Sequence, residues 1–246
     1  MDERTLKTQA EVLAETFAAS RHPLPLWDGL QPLVSNEFRA ADGDDGRRHL
    51  GADLMYKRPV PGKRKLPVYT PTYFMPGEPD DDEVPVFSPF DGKVWSITYS
   101  KSGMMLLKID HGNVPGIGPL LTMFLHGRKP VVKPGWRLRA GDPTHTVGKS
   151  GTDTNHSHAE FLLTARPRRY PAPRRADGYA EPSTDLHWPT DPAPFLARMP
   201  RMDLDGNVHA PPAGPLPALP GPAHLPSGGL AWAAVAAITA KTAHLI

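Results

Sequence analysis

Short apolar runs separated by glycine turns dominate the chain between residues 49 and 165. The runs are Lys93–Tyr99, Met104–Ile109, Leu120–Leu125 and Ala159–Leu163. Turn pairs such as Asp91-Gly92 and Ser102-Gly103 lie between them. Short strands at this spacing predict a mainly β fold, in which an antiparallel sheet forms a sandwich or a barrel-like core.

The first 20 residues follow a helical period instead. Apolar residues recur on one predicted helix face, formed by Leu6, Ala10, Leu13 and Phe17. Asp2 is a suitable N-cap, and Pro23 and Pro25 end the pattern. We predict a short amphipathic helix that docks on the core. Because charged residues interrupt every apolar run here, we expect no signal peptide and synthesis in the cytoplasm.

The pattern divides the chain into four parts. Residues 1–48 form the helix and a connector, and residues 49–200 form the core domain, with Pro-rich or charged insertions at about 57–83 and 166–190. We predict that the first insertion is a long surface loop. A Pro-rich linker (201–227) and an apolar C-terminal helix (228–246) follow. The uncharged run Leu230–Ala240 is shorter than the ~20 residues of a spanning helix, so we expect a packing or assembly helix rather than a membrane span.

Composition narrows the chemistry further. The chain has no cysteine, so any metal must be held by His, Asp or Glu. A net charge of +2 gives no strong field for nucleic acid, and we expect no nucleic-acid partner. With 31 prolines, long helices cannot be the main architecture.

Four of the 11 histidines stand in patterns that carry chemistry. His49 precedes Asp53 by four residues, His156 and His158 lead into a predicted strand, and His126 closes an apolar run. Side chains two apart on a strand face the same side, so His156 and His158 can address one site. A catalytic zinc usually has three protein ligands and an open fourth position. His49, Asp53 and one histidine of the pair could supply these ligands, and the other histidine and His126 would remain for proton transfer. We interpret most other histidines as structural hydrogen bonders, namely His22, His145, His187, His209, His224 and His244.

The order of the motifs resembles the lysostaphin-type zinc endopeptidases, which cut peptide cross-links in bacterial peptidoglycan. The resemblance covers roughly His49 to Leu196. The matching elements are His49 to Leu54, Val86 to Val94, Ile109 to Asn113, Phe124 to His126, Val132 to Gly141, Gly148 to Gly151, His156 to Glu160 and Asp191 to Leu196.

The resemblance implies an active site and a substrate. It implies one Zn²⁺ per chain and peptidoglycan stem peptides or cross-bridges as the substrate. His111 matches a family position that is not a zinc ligand, so it stays outside the site. The implied site residues are the zinc ligands His49, Asp53 and His158, the catalytic pair His126 and His156, and the supporting Glu160.

Some features depart from the family, and alternatives stay open. The two insertions are longer than usual, and Asn155 replaces a small residue, which puts the choice of peptide in question. The alternative function is a non-catalytic structural or regulatory protein that keeps the peptidase fold. A carrier-type β domain would share the glycine turns but does not explain the His-x3-Asp motif. We expect action on the cell wall after delivery within a phage tail or an injection device, with the terminal extensions contacting assembly proteins.

Overall fold

The computed structural model describes residues 7–27, 30–36, 41–42, 47–58, 72–74, 84–152, 155–164, 187–213, 216 and 219. The helices are α1 (Gln9–Ala19) and α2 (Ala193–Leu196). The strands are β1 (Leu33–Asn36), β2 (Ala41–Asp42), β3 (Arg47–Arg48), β4 (Ala52–Arg58), β5 (Thr72–Phe74), β6 (Pro85–Phe87), β7 (Gly92–Tyr99), β8 (Met105–Val114), β9 (Gly118–Leu125), β10 (Arg137–Leu138), β11 (Pro143–Thr146), β12 (Ser157–Thr164), β13 (His187–Thr190), β14 (Arg201–Met202) and β15 (Val208–His209). The predicted mainly β, antiparallel fold is confirmed.

One large antiparallel sheet organises the described part of the chain. Its order is β1-β4-β12-β9-β8-β7-β10, and β5 and β13 extend it from β4 and β12. β9 pairs along one edge of β12, while β4 and β13 share the other edge. The four predicted strands correspond to β7, β8, β9 and β12. The smaller pairs β6–β11, β2–β3 and β14–β15 lie outside this sheet.

The two faces of the sheet bury separate apolar clusters. Alternate side chains of β4, β8, β9 and β12 join Phe17 of α1 and Phe195 of α2 in the main core. The opposite face carries a second cluster, formed by Met104, Leu106, Leu121, Met123, Leu125 and Leu162. The candidate metal-binding side chains lie on this second face, because His158 precedes Leu162 by four residues on the same strand.

The N-terminal helix and the residues that follow it pack against the main core. α1 begins at Gln9, and its N-cap is Thr8, which forms a capping box with Glu11, so the predicted N-cap Asp2 is wrong. Phe17 packs against Phe195, with ring centroids 6.4 Å apart. The carbonyl of Pro25, which follows the helix, accepts a 2.7 Å hydrogen bond from the buried hydroxyl of Tyr56. These contacts fix the segment against the main sheet.

The first predicted insertion contains strand where we expected a loop. Lys57 and Arg58 end β4, and Thr72–Phe74 forms β5, which pairs with them. Threonine, tyrosine and phenylalanine favour strands, and the high proline and charge content of the surrounding residues obscured that signal. The rest of this insertion lies outside the described residues.

The region after β12 also contains more regular structure than its prolines indicated. His187–Thr190, at the end of the second insertion, forms β13 along the edge of β12 beyond β4. Residues 201–209, which we assigned to a linker, contain the hairpin β14–β15. The predicted C-terminal helix, 228–246, lies outside the described residues. Among the described helices, none is long and apolar enough to cross a membrane.

Candidate metal centre

The pairing of β4 with β12 brings together residues that are distant in sequence. His158 lies directly opposite Asp53 in the antiparallel register. On its other side, His158 is opposite Leu125, the last residue of β9, and His126 follows immediately. His49 lies just before β4. The sheet therefore places four of the six predicted site residues around the point where β4, β12 and β9 meet.

Three donor atoms converge at this point. His49 Nε2 lies 3.1 Å from Asp53 Oδ1 and 3.0 Å from His158 Nδ1. His158 Nδ1 lies 2.9 Å from Asp53 Oδ1. Ligands bound tetrahedrally to one zinc ion at about 2.0–2.1 Å lie roughly 3.3 Å apart. Small adjustments would therefore fit this group, which is able to hold a metal ion, to that geometry.

The chemistry of the donor set also fits a cation. If both nitrogens donate to Asp53 Oδ1, two N–H groups lie side by side across the 3.0 Å contact between His49 and His158. If one nitrogen is unprotonated, its lone pair faces the carboxylate oxygen. Either arrangement of protons brings like partial charges together. A cation that accepts a lone pair from each atom satisfies all three.

Glu160 orients one of these histidines. His158 Nε2 lies 3.2 Å from Glu160 Oε1, and the carboxyl group is buried. Nε2 therefore donates to the carboxylate, which leaves Nδ1 to face the other donors. Burial alone would lower the pKa of His158, but hydrogen bonds to Asp53 and Glu160 raise it to about 9. This is the arrangement by which a carboxylate makes an imidazole a stronger ligand.

Asp53 supplies negative charge at neutral pH. Burial would raise the pKa of its carboxyl group, but hydrogen bonds from His158 and His49 hold that pKa well below its usual range. His156 Nε2 lies 3.5 Å from the same Asp53 oxygen. The carboxylate thus lies beside three of the four site histidines and offsets part of any positive charge bound among them.

His126 and His156 form a second pair next to the three donors. Their ring centroids are 4.7 Å apart, and His126 lies 5.9 Å from the His158 ring. His126 Nδ1 donates a 2.9 Å hydrogen bond to the Ser150 carbonyl, so Nε2 is the unprotonated nitrogen of the neutral ring. Burial lowers the pKa of His126 to about 4, which keeps that ring neutral at pH 7.

All six predicted site residues thus lie in one neighbourhood, and the excluded histidine lies outside it. His111 makes hydrogen bonds with the Asp91 carbonyl and with Thr122 Oγ1. These structural contacts occupy both ring nitrogens. Asn155, the residue that departs from the family pattern, is buried directly before His156.

Gly51, which lies between His49 and Asp53, is a site residue to which the sequence motifs gave no role. A Cβ at this position would lie 2.6 Å from the Ala159 carbonyl oxygen and 2.7 Å from His158 Nε2. Glycine is therefore required for the two ligand-bearing segments to approach each other. The position of Gly51 inside the His-x3-Asp motif could have indicated a role in the site. The motif does not show that β12 passes close to Gly51, which is the reason that glycine is needed.

Comparisons with known proteins give structural matches. No protein-family profile and no curated protein matches the chain. A zinc-containing peptidase from Vibrio cholerae is 22% identical with a TM-score of 0.40, over 63% of this chain and 41% of that chain. The catalytic domain of lysostaphin from Staphylococcus simulans is 16% identical with a TM-score of 0.40, over 69% and 93%. The SpoIIQ–SpoIIIAH pore-forming complex is 14% identical with a TM-score of 0.42, over 72% and 92%.

Lysostaphin-type peptidases are therefore among the structures that this chain is similar to. The chain spans less than half of the length of the Vibrio peptidase. At these identities and TM-scores, the matches assign no activity, and they include both peptidases and a pore-forming complex.

Proposed function

We propose that this protein is a zinc-dependent endopeptidase that hydrolyses peptide cross-links of bacterial peptidoglycan. One observation carries the proposal: His49 Nε2, Asp53 Oδ1 and His158 Nδ1 converge within about 3 Å of one another, next to a second histidine pair. The resemblance of the sequence motifs to the lysostaphin-type family supports the proposal, because it implies that these three residues are zinc ligands and that His126 and His156 are the catalytic pair.

The donor set favours zinc as the metal. Two imidazole nitrogens and one carboxylate oxygen are ligands that zinc accepts, and three protein ligands leave a position for water or substrate. When bound, zinc lowers the pKa of a coordinated water towards about 7 and polarises a carbonyl group. Glu160 holds His158 in the orientation in which Nδ1 would face a bound ion.

The histidine pair is suited to handle the proton of the attacking water. His126 is neutral at pH 7, and its Nδ1 proton is held by the Ser150 carbonyl, so its Nε2 atom can accept a proton. His156 lies within 4.7 Å of His126, ring centre to ring centre, and can stabilise negative charge on the peptide oxygen by donating a hydrogen bond. Burial of both rings strengthens these electrostatic interactions.

The proposed substrate rests on the motif resemblance, and the bond that is cut is identified by experiment. Purified peptidoglycan of two kinds, with glycine-rich or with direct meso-diaminopimelate cross-links, would be incubated with the full chain. Loss of turbidity and the new amino termini of the released peptides would be measured, with zinc content determined in parallel. Association with a phage tail or an injection device stays a prediction, which copurification of assembly proteins would test.

The controls separate the enzyme from the scaffold alternative. We expect His158→Ala and chelator treatment each to abolish peptide release, and zinc to restore the chelated protein. His209→Ala is the matched control, because this exposed histidine lies in β15, away from the site. Bound zinc with no peptide release from either wall would contradict the proposal and favour a non-catalytic protein that keeps the fold.

A further inference from the structure

A single turn, residues 148–151, contacts both histidines of the candidate catalytic pair. The Gly148 carbonyl accepts a 3.2 Å hydrogen bond from the backbone N–H of His156. The Ser150 carbonyl accepts the 2.9 Å hydrogen bond from His126 Nδ1. The turn therefore joins the end of β9 to the start of β12 at the place where the two rings meet.

His126 needs such support because its backbone is in an unfavourable conformation. Its φ angle is +66°, in the left-handed region, which non-glycine residues adopt rarely because their Cβ crowds the backbone there. Ser150 N–H donates a 3.1 Å hydrogen bond to the His126 carbonyl, so Ser150 binds this residue through both its N–H and its carbonyl group. Unusual backbone angles of this kind persist where the surroundings hold them.

The side chain of Ser150 holds the turn itself in place. Its Oγ accepts a 3.0 Å hydrogen bond from Met105 N–H, at the start of β8, and donates a 3.2 Å hydrogen bond to the Gly127 carbonyl. Gly127 is itself tightly packed, since a Cβ there would lie 2.2 Å from His145 Cδ2. The hydroxyl thus connects the turn to two backbone groups that have little room to move.

We propose that Ser150 is a positioning residue that fixes the ring orientation and the tautomer of His126, and the catalytic part of this inference rests on the proposed function. Without the hydroxyl, the turn loses its hydrogen bonds to Met105 and Gly127. The Ser150 carbonyl then no longer stays in line with His126 Nδ1. The neutral ring then populates both tautomers. In the tautomer that is protonated at Nε2, His126 cannot accept a proton from the attacking water.

Three variants test this role in the full-length, zinc-loaded protein. Ser150→Ala removes the hydroxyl, Ser150→Thr restores it, and Ser88→Ala is the matched control. Ser88 is a buried serine whose hydroxyl, like that of Ser150, donates to a backbone carbonyl, here that of Phe90, but it makes no hydrogen bond to either catalytic histidine. We expect Ser150→Ala to lower kcat about ten- to a hundredfold, as other orienting partners do, with KM and zinc content unchanged. Ser150→Thr should regain most of kcat, and Ser88→Ala should keep it.

Nitrogen NMR of 15N-histidine-labelled protein gives a readout that does not depend on substrate. The His126 signal is identified by its loss in His126→Gln. We expect a single tautomer protonated at Nδ1 in the wild type and a mixture in Ser150→Ala. One unchanged tautomer in Ser150→Ala, or a kcat equal to that of Ser88→Ala, would overturn the inference. If wild type shows no peptidase activity but the tautomer shifts, the proposed function fails while the positioning role stands.

Discussion

Acid should destabilise this protein through two buried histidines outside the metal centre, His22 and His145. Both are at most 2% exposed. His22 Nδ1 accepts a hydrogen bond from Leu24 N–H, and His145 Nδ1 donates to Thr144 Oγ1. Burial, together with the positive charge of Arg201 in the case of His22, lowers the pKa of each histidine to about 3.

The direction and size of the effect follow from proton binding. The pKa of each histidine is 6.5 in the absence of these contacts, so below pH 6.5 the unfolded chain binds protons that the folded chain does not. Stability therefore falls as the pH falls from 6.5 and continues to fall down to about pH 3. At about pH 5, each histidine costs roughly 2 kcal/mol, and the two together about 4 kcal/mol, out of a typical 5–15 kcal/mol.

Urea unfolding at several pH values between 7.5 and 5.0 measures this loss. Chelator-treated protein is used so that release of metal makes no contribution. His22→Gln and His145→Gln replace each ring by a side chain that does not titrate, and we expect each variant to lose about 2 kcal/mol less than the wild type over this range. The change with pH is compared rather than the absolute stability, because each substitution also disturbs packing. If the free energy of unfolding of both variants fell with pH as steeply as that of the wild type, the assignment of acid sensitivity to these two residues would be refuted.

Three further substitutions test the core and the site. Phe17→Ala should reduce the free energy of unfolding by about 3–5 kcal/mol in urea titrations, because the ring is buried against α2, whereas a loss below about 1 kcal/mol would show that α1 is not part of the core. Gly51→Ala should prevent zinc binding in calorimetry, since its Cβ would lie 2.7 Å from His158 Nε2, and an unchanged affinity would contradict the close approach. Glu160→Gln should weaken zinc about tenfold or more by removing the charge beside His158 Nε2, and full wild-type affinity would exclude the orienting role.

The central strands could be predicted because their signals are local. The apolar run Leu120–Leu125 became most of β9, and Lys93–Tyr99 became most of β7, since glycine turns mark where each strand ends. The His-x-His pattern correctly indicated a shared face, because alternation along a strand does not depend on its neighbours. Five of the six candidate site residues stand in such patterns, and the resemblance to the lysostaphin-type family added Glu160 and the division of roles.

The remaining features depend on partners distant in sequence. β13 can form because β12 extends beyond Ala52, the first residue of β4, which no local pattern in residues 187–190 reveals. Gly51 is constrained by β12, which passes alongside it, and Ser150 contacts His126 and the start of β8. Neither neighbour can be identified from the residues around these two positions. His22 and His145 have hydrogen-bond partners within two residues in sequence, but their burial comes from the assembled core.

The three candidate metal ligands are far apart in the sequence, and this determines when they can act together. His158 is 109 residues from His49 and 105 residues from Asp53. A nascent chain that has exposed only the first two ligands has one imidazole and one carboxylate, which is too few for a stable zinc site. The third ligand arrives with β12, and the pairing of β12 with β4 must close a loop of about a hundred residues. If the site holds zinc as proposed, the ion would therefore bind late in folding, to chains in which β12 already pairs with β4.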